Sequence, residues 1–410
     1  MKKAALKKST RIYAKTPVKL IKSTFYNEEQ TKEELANFIK KADRLSMSEK
    51  VLEFEQKFAE FQGSKHAVCV TSGSTANMAL IQALINLGRI NKGDVVGFSA
   101  VTWATNVMPL LQLGLDVFPI DVEIDTLNCS SKTLQDALDK KPEIKVVFLT
   151  NVLGFCSDID VIKNICDKRG IILIEDNCES LGTVYKGTKL GSYGIAGTFS
   201  FYVGHHMSTI EGGMICTDDE EVDTMLRMVR AHGMDRNLSK EKQSLLRDTN
   251  NVEDFYSQYT FYTQGYNFRP TEITGFLGVN QLQYIKEILK KRYSNFLKFA
   301  GGVDSGYILP VRYDHIDFIS NFAFPVIARD KRIFRKYIER FERYNVEIRP
   351  IVSGNMMYQM FLQNHLPLMK KIDLPNARFI HNNGFYFGNN PDMKEEDIDI
   401  ILNALDMGQV

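Results

Sequence analysis

Between residues 66 and 177, short apolar runs rich in Val, Ile and Leu alternate with stretches that have the spacing of amphipathic helices. The runs are HAVCV, DVVGFSAV, DVFPIDV, KVVFLTNV and GIILIEDN, and helices are expected from about Thr75, near Thr105 and from Asp158. Such alternation is typical of βαβ units, whose parallel strands are covered by helices on both faces. The pattern therefore predicts an α/β domain with a mostly parallel sheet.

The pattern of apolar positions changes after residue 192. TFSFY and GGMICT are two short strand candidates separated by a loop, and a helix is expected over residues 219–232. Residues 234–264 are polar and rich in aromatic side chains but have weak periodicity, which predicts an irregular excursion. A long helical pattern then returns over residues 272–291.

The composition of the elements shifts from about residue 300 onward. NFAFPVIA and EIRPIV are strand-like, whereas FRKYIERFERY and the segment after Asp392 are helical. This mixture indicates a smaller α+β lobe. A chain of 410 residues is long for one compact core. We therefore predict a large domain over residues 1–295, including an N-terminal extension, and a small C-terminal domain over residues 296–410.

Charge and hydropathy exclude several kinds of partner. The chain has fifty-one Lys and Arg residues and fifty Asp and Glu residues, so its net charge is +1. This balance produces no electrostatic field that would attract nucleic acid or an anionic membrane. Residues 95–115 carry no charge, but Gly97, Pro109 and Gly114 interrupt them. A strand followed by a helix is expected there rather than a membrane span.

Two further features bear on the compartment. The basic N-terminal segment MKKAALKKSTRIYAK lacks the apolar core of a signal peptide. The six cysteines are scattered and form no CxxC pair, which is typical of reduced and mostly buried thiols. A cytoplasmic protein is expected.

The segment VTSGSTANMAL, residues 70–80, predicts a strand that turns into a helix through Ser-Gly-Ser-Thr. Free backbone N–H groups and the positive end of the helix dipole favour a phosphate at such a turn. Gly73 permits close backbone approach, and Ser74 supplies a hydroxyl. Capping of the helix by Ser74 is an equally good explanation of the same residues.

Two other residues follow strands at the edge where open α/β sheets bind ligands. Asp176, in IEDNCESLG, ends an apolar strand and has the chemistry to hold a protonated ring nitrogen, or else to cap the next turn. Trp103 is the single tryptophan and follows the strand GFSAV. Burial in the core and stacking on a flat ligand are both open for it.

The stretch TFSFYVGHHMSTIEGG, residues 198–213, contains the adjacent histidines His205 and His206. A metal site is disfavoured, because adjacent loop residues seldom point at one ion and no set of ligands with suitable spacing surrounds them. A purely structural pair is the other alternative.

Taken together, these segments resemble the DegT/DnrJ/EryC1/StrS sugar aminotransferases, which have the aspartate aminotransferase fold (fold type I), from about residue 25 onward. In that family the loop has the form S-F-x-x-x-K followed by a Gly-Gly pair, and its lysine binds pyridoxal 5′-phosphate (PLP) covalently. Ser200 matches the serine, Gly212 and Gly213 match the glycine pair, and the lysine position falls on His205.

The resemblance also implies roles for the other candidates. Gly73, Ser74 and Ser200 would contact the cofactor phosphate, Trp103 would stack on its ring, and Asp176 would hold its ring nitrogen. Glu179 lies near the ring, at a position where the family commonly has glutamine. Asn267, in GYNFRPTEITGFLGVNQL, would reach the phosphate of the neighbouring subunit's cofactor, which implies a homodimer with shared active sites.

Histidine at position 205 changes the expected reaction. Imidazole has no primary amine to bond to PLP, so the pyridoxamine form (PMP) is the expected resting state, but imidazole exchanges protons near neutral pH. The resemblance then implies removal of the C3 hydroxyl from a 4-keto sugar, with L-glutamate as amino donor and release of ammonia. His205 is the expected catalytic base, and His206 is supporting.

Family members with this histidine are of two types, and one carries a [2Fe-2S] cluster held by downstream cysteines. Only Cys216 follows His205, whereas a cluster needs four ligands, so no iron–sulfur cluster is expected. GHHMSTIEGG, RPIVSGN and FGNNP resemble the other type, known from colitose biosynthesis. The expected substrate is a GDP-4-keto-6-deoxy sugar with the mannose configuration.

Three alternatives stay open at this point. The chain would be an aminotransferase if another lysine, such as Lys186 or Lys189, served the cofactor. It would act on another nucleotide sugar, a CDP-hexose or a GDP-heptose, if the sugar pocket differed. It would be a non-catalytic regulatory protein with the same fold if it bound no cofactor.

Overall fold

The computed structural model describes residues 14, 16–366, 369 and 371–408. Most of the basic segment on which the compartment was judged, residues 1–13 and 15, lies outside the described residues. Fourteen α-helices occur in the described part of the chain: α1 Glu28–Lys41, α2 Glu49–Gln62, α3 Gly73–Asn86, α4 Met108–Gln112, α5 Ser131–Lys140, α6 Ile159–Arg169, α7 Glu220–Val229, α8 Lys240–Thr249, α9 Glu272–Leu282, α10 Ile285–Gly301, α11 Lys331–Arg343, α12 Met360–His365, α13 Pro375–Asn383 and α14 Glu395–Leu405.

The strands of the same residues number thirteen: β1 His66–Val70, β2 Val95–Ser99, β3 Asp116–Ile120, β4 Ile144–Thr150, β5 Ile172–Asp176, β6 Val184–Tyr185, β7 Thr188–Lys189, β8 Ala196–Ser200, β9 Gly213–Thr217, β10 Ile308–Leu309, β11 Ala323–Ala328, β12 Ile348–Pro350 and β13 Gly384–Gly388. Short 3-10 turns occur at Ala104–Asn106, Val152–Gly154, Ser257–Tyr259 and Met356–Tyr358.

Seven strands form the main sheet, in the order β1-β9-β8-β5-β4-β2-β3. Strands β8, β5, β4, β2 and β3 are parallel, and β9 runs antiparallel to both of its neighbours. Six strands therefore end at the same edge. The prediction of a mostly parallel sheet covered by helices is confirmed.

Buried apolar side chains explain why these strands are readable from sequence. In β2 and β8 every residue is buried, so neither strand shows an exposed polar face. Strands covered on both faces give continuous apolar runs rather than alternation. The uncharged residues 95–115 divide into β2, a 3-10 turn and α4, as expected, and no helix of the described residues has the length and hydropathy to cross a membrane.

A second sheet of four antiparallel strands, in the order β10-β11-β13-β12, forms the C-terminal lobe with α11, α13 and α14. The division into residues 1–295 and 296–410 stays a prediction, and its boundary falls inside α10. The chain before α1 runs back to this lobe. Val18 bridges Val346, and the Leu20 amide donates to Glu347 at 2.9 Å.

Two expectations about local structure are wrong. Residues 234–264 contain α8, which Ser239 caps and which buries only Gln243, so its apolar periodicity is too weak to see. The long helix expected over residues 272–291 is two helices, α9 and α10, separated at residues 283–284.

Candidate active site

A cleft of about 310 Å³ opens at the edge where the parallel strands end, between the main sheet and the C-terminal lobe. Its walls include every site residue that the sequence indicated except Asn267: Gly73, Ser74, Trp103, Asp176, Glu179, Ser200 and His205. A cleft of this size at the carboxyl ends of the strands is where open α/β folds bind small molecules.

The turn between β1 and α3 forms one wall of the cleft. Ser72, not Ser74, caps α3: its hydroxyl accepts from the Thr75 amide at 3.1 Å, and the Thr75 hydroxyl accepts from the Ser72 amide at 2.9 Å. Capping therefore does not explain Ser74, which lies exposed in the first turn. A Cβ atom at Gly73 would lie 2.7 Å from the Cβ of Ser200, so only glycine lets this turn approach the end of β8.

Asp176 is held as a fixed acceptor at the end of β5. The side-chain amides of Asn77 and Asn106 each donate to its Oδ2 at 2.8 Å, and the Cys178 amide donates to Oδ1 at 2.9 Å. The Thr198 hydroxyl donates to Asn77 Oδ1 at 2.6 Å, which fixes the orientation of that amide. The carboxylate is buried and orientated before any ligand arrives.

Trp103, the single tryptophan of the chain, is 56% exposed, so burial in the core, one of the two interpretations left open, is excluded. Its side chain lines the cleft, and the 3-10 turn Ala104–Asn106 begins directly after it. A flat exposed ring beside Asp176 is suited to stack on a planar ligand.

Glu179 lies in the same cleft with its Oε2 accepting from the Leu153 amide at 3.0 Å. Burial raises the pKa of Glu179 to about 8, and the neighbouring Asp176 contributes in the same direction. The carboxyl is therefore neutral at pH 7 and can donate a hydrogen bond, as the amide of glutamine does.

We expect Glu179→Gln to remove a pH dependence of stability. The pKa of Glu179 is higher in the folded protein than in the unfolded chain. Its contribution to the free energy of unfolding is therefore complete below about pH 4.5 and is lost as the pH rises to about 8. Because glutamine does not titrate, the free energy of unfolding of the variant should rise relative to that of the wild type by about 1–2 kcal/mol over this interval, after allowance for solvent in the open cleft. Urea unfolding of the cofactor-free protein at several pH values measures this gain, and a difference that does not vary with pH would contradict it.

His205 lies on the loop between β8 and β9, and its ring is partly open to the cleft. The ring contacts Phe322, with centroids 5.3 Å apart, and Tyr202, with centroids 5.7 Å apart. Its Nδ1 is buried and has no side-chain hydrogen-bond partner in the described residues. Burial lowers the pKa of His205 to about 4, against the opposing effect of Asp176, so the imidazole is neutral and able to accept a proton at pH 7.

His206 does not face the cleft. Its side chain is only 2% exposed and lies behind the loop, beside Arg292. Burial lowers the pKa of His206 well below its ordinary value, with the charge of Arg292 as the next cause. Within the described residues, no group of three or more His, Cys, Asp or Glu side chains is arranged to hold a metal ion.

The two lysines considered as substitutes lie on the β6–β7 hairpin, away from the cleft. Lys186 Nζ is 2.6 Å from Asp160 Oδ2, and Lys189 Nζ donates to the Phe61 carbonyl at 2.5 Å. No lysine is among the described residues that line the cleft.

Asn267 is exposed and lies outside the cleft of its own chain. It forms an isolated bridge with Ala231, next to the excursion that contains α8. Its placement leaves the side chain accessible to a second molecule.

Sequence reasoning missed several residues of the site. Asn77 and Asn106 orientate Asp176, Phe322 packs on His205, and Arg349 and Tyr386 bring the C-terminal lobe to the cleft. Asn106 follows Trp103 near a strand end, and Asn77 and Arg349 lie in the segments VTSGSTANMAL and RPIVSGN. These positions were available signals, but no local pattern gave the individual side chains a role in the site.

These groups fit PLP or PMP. Three protein donors leave the Asp176 carboxylate orientated for a ring nitrogen, and the helix N-terminus beside Ser200 suits a phosphate. Trp103 supplies a stacking surface, and His205 supplies a neutral imidazole that lines the cleft.

Comparison with known proteins finds relatives of one family over most of the chain. The profile of the DegT/DnrJ/EryC1/StrS aminotransferase family matches residues 26–406. GDP-4-keto-6-deoxy-D-mannose 3-dehydratase of Escherichia coli O55:H7 is 35% identical over 364 residues, which cover 88% of this chain and 92% of the relative. The one from Yersinia pseudotuberculosis is 33% identical over 372 residues, covering 89% and 92%.

A solved structure of GDP-4-keto-6-deoxymannose-3-dehydratase with a trapped PLP-glutamate geminal diamine superimposes with a TM-score of 0.83. It is 33% identical, and the match covers 95% of this chain and all of that chain.

Proposed function

The chain belongs to the DegT/DnrJ/EryC1/StrS aminotransferase family, and from this membership we propose that it is a PLP/PMP-dependent 3-dehydratase of a nucleotide sugar. The relatives support a PLP-dependent sugar dehydratase or aminotransferase. The observation that carries the choice between the two is His205, which occupies the family's lysine position and opens on a cleft in which the described lining residues include no lysine.

The proposed substrate is a GDP-4-keto-6-deoxy sugar with the mannose configuration, used in making a dideoxysugar for a surface polysaccharide. Relatives at 33–35% identity that are named for this substrate support it. L-Glutamate is the proposed amino donor, supported by the relative's structure with a PLP-glutamate adduct. In the overall reaction the sugar exchanges its C3 hydroxyl for hydrogen, while glutamate becomes 2-oxoglutarate and ammonia.

The cofactor, when bound, supplies an amine that attaches to the keto carbon of the sugar and a ring that accepts electrons. Asp176 keeps the ring nitrogen protonated, Trp103 covers the ring, and Ser74 and Ser200 hold the phosphate. The neutral His205 accepts the proton released at the cofactor's C4′ carbon. The resulting imidazolium carries the proton that the departing C3 hydroxyl needs.

The proposal is tested by incubating the protein with PLP, L-glutamate and GDP-4-keto-6-deoxy-D-mannose. Mass spectrometry should find a 3-deoxy sugar, with 2-oxoglutarate and ammonia in equal amounts. An amino sugar that carries glutamate's nitrogen would instead establish an aminotransferase. No binding of PLP or PMP in equilibrium dialysis would favour a non-catalytic protein, and conversion of only a CDP-hexose or a GDP-heptose would reassign the substrate.

The proposed assembly is a homodimer in which Asn267 completes the partner's active site. Asn267 lies on the surface, and the excursion over residues 234–264 that precedes it along the chain carries several exposed apolar side chains, of which Phe255 is 83% exposed. These side chains are Leu245, Phe255, Tyr256, Tyr259 and Phe261. A surface of this kind is typical of a protein interface.

A mixed dimer shows whether Asn267 acts on the active site of its own chain or on that of its partner. We expect His205→Asn and Asn267→Ala each to lose most activity as homodimers. Co-expression with two affinity tags gives the mixed dimer, in which one site has His205 from one chain and Asn267 from the other. This dimer should recover about half of the wild-type turnover, because one of its two sites is intact. No recovery would contradict the shared site.

A further inference from the structure

Arg292, on α10, is a buried cation that contacts the loop of His205 from behind. Its side chain is only 5% exposed, and within the described residues it forms no ion pair with a carboxylate. Burying a guanidinium without a carboxylate partner is unfavourable. Hydrogen bonds to other acceptors must therefore satisfy this guanidinium.

All three acceptors of Arg292 are peptide carbonyls. Nη2 donates to the His205 carbonyl at 3.0 Å and to the His206 carbonyl at 3.5 Å, and Nη1 donates to the carbonyl of Asn389. The Asn389 side chain donates back to the Arg292 carbonyl at 2.9 Å. The guanidinium thus joins α10, the end of β13 and the loop at His205 and His206.

The loop has no regular structure between β8 and β9. Its own backbone hydrogen bonds include those from the His205 amide to the Tyr202 carbonyl at 2.9 Å and from the Thr209 amide to the Phe201 carbonyl at 3.0 Å, and Arg292 adds a connection to the rest of the protein. Because the planar guanidinium presents its donors in fixed directions, Nη2 reaches the loop while Nη1 reaches Asn389, which the single nitrogen of an ammonium group does not do.

The charge of Arg292 also acts on His205. Burial lowers the pKa of His205, Asp176 and a hydrogen bond with the Ser200 backbone oppose it, and the charge of Arg292 lowers it by the smallest of these effects. Burial lowers the pKa of Arg292 itself to about 9, against the opposing charge of Asp392, so it is still mostly cationic at pH 7. The groups that share the cleft with His205 are Asp176, Glu179, Tyr202, Glu211, Arg349 and Tyr386. Behind the loop lie Arg292, His206 and Asp392.

We propose that Arg292 is the positioning residue for the loop that carries His205: it holds the carbonyls of His205 and His206 and so fixes where the imidazole meets the cleft. This inference rests on the proposed role of His205 as the base. It gives His206 a role as well, since the carbonyl of His206 is one of the two anchors of the loop.

Three variants test this role. Arg292→Met removes both the charge and the donors, Arg292→Lys keeps the charge but not the geometry, and Lys290→Met is a control at an exposed position of the same helix. In Arg292→Met, kcat should fall about 10- to 100-fold, and the acid limb of kcat/KM should move upward, because a cation that lowers the pKa of His205 is lost. In Arg292→Lys, the acid limb should stay in place while kcat falls less. The control should match the wild type in both.

Two measurements on the cofactor-free protein keep the test independent of the proposed reaction. The pKa of His205, followed by NMR of labelled histidine and assigned with His205→Asn, should rise in Arg292→Met. Amide exchange of residues 203–209 should be faster in Arg292→Met and Arg292→Lys than in the control. If no dehydration is found in the wild type, these two results still decide the role of Arg292. An unchanged pKa together with unchanged exchange in a folded variant would overturn it, and Arg292→Lys supplies the exchange result if Arg292→Met does not fold.

Discussion

Replacing His205 with lysine is expected to end removal of the C3 hydroxyl and to make PLP bind covalently. The lysine supplies the primary amine that imidazole lacks, at the position that the resemblance of the loop assigns to the family's lysine. The rate of 3-deoxygenation should fall by about 10²–10⁴-fold, the usual contribution of a positioned general base. Absorbance of the purified variant, followed by borohydride reduction and mass spectrometry of the intact chain, measures the covalent bond.

His205→Asn separates the loss of the base from the gain of an amine. It should lose 3-deoxygenation to a similar degree but leave PLP removable by dialysis, because the amide of asparagine does not bond to PLP. Lys186→Met controls for covalent attachment elsewhere, since Lys186 is paired with Asp160 on the surface. If the lysine variant removes the C3 hydroxyl at the wild-type rate, His205 is not the base.

The main sheet was predictable because its strands are buried on both faces. Runs such as HAVCV and KVVFLTNV correspond to β1 and β4 within one or two residues. Helix α8 was missed for the opposite reason, since a helix that buries only Gln243 has almost no apolar stripe to detect. The reversed direction of β9 also had no signal, because direction depends on pairing and not on local composition.

The residues of the candidate site also differ in how far local sequence indicates their place. Ser74, Trp103, Asp176 and Ser200 each lie near the end of a strand, and the topology of a parallel sheet brings such positions to one edge. Arg292 reaches the same region from the middle of a helix, 87 residues from the His205 that it contacts. Its helical context gives it the appearance of an ordinary charged residue, and only the packing of α10 against the loop shows its contacts.

Asp176→Asn is expected to reduce 3-deoxygenation by about 10²–10³-fold while the protein remains folded. Both carboxylate oxygens are acceptors, Oδ1 from the Cys178 amide and Oδ2 from Asn77 and Asn106. An asparagine has one acceptor oxygen, so either orientation of its amide places an N–H group against a donor. The variant should therefore also lose about 1–3 kcal/mol of stability.

The larger effect of Asp176→Asn follows from charge. A carboxylate stabilises a protonated ring nitrogen, whereas a neutral amide does not, so the ring accepts electrons poorly and the electrostatic contribution of one fixed group is lost. Measuring kcat and the Kd for PLP, beside Asp160→Asn as a surface control, separates this effect from a general loss of stability. Because burial and the two asparagines hold Asp176 in place without any ligand, unchanged turnover in Asp176→Asn would mean that the cofactor ring lies elsewhere in the cleft.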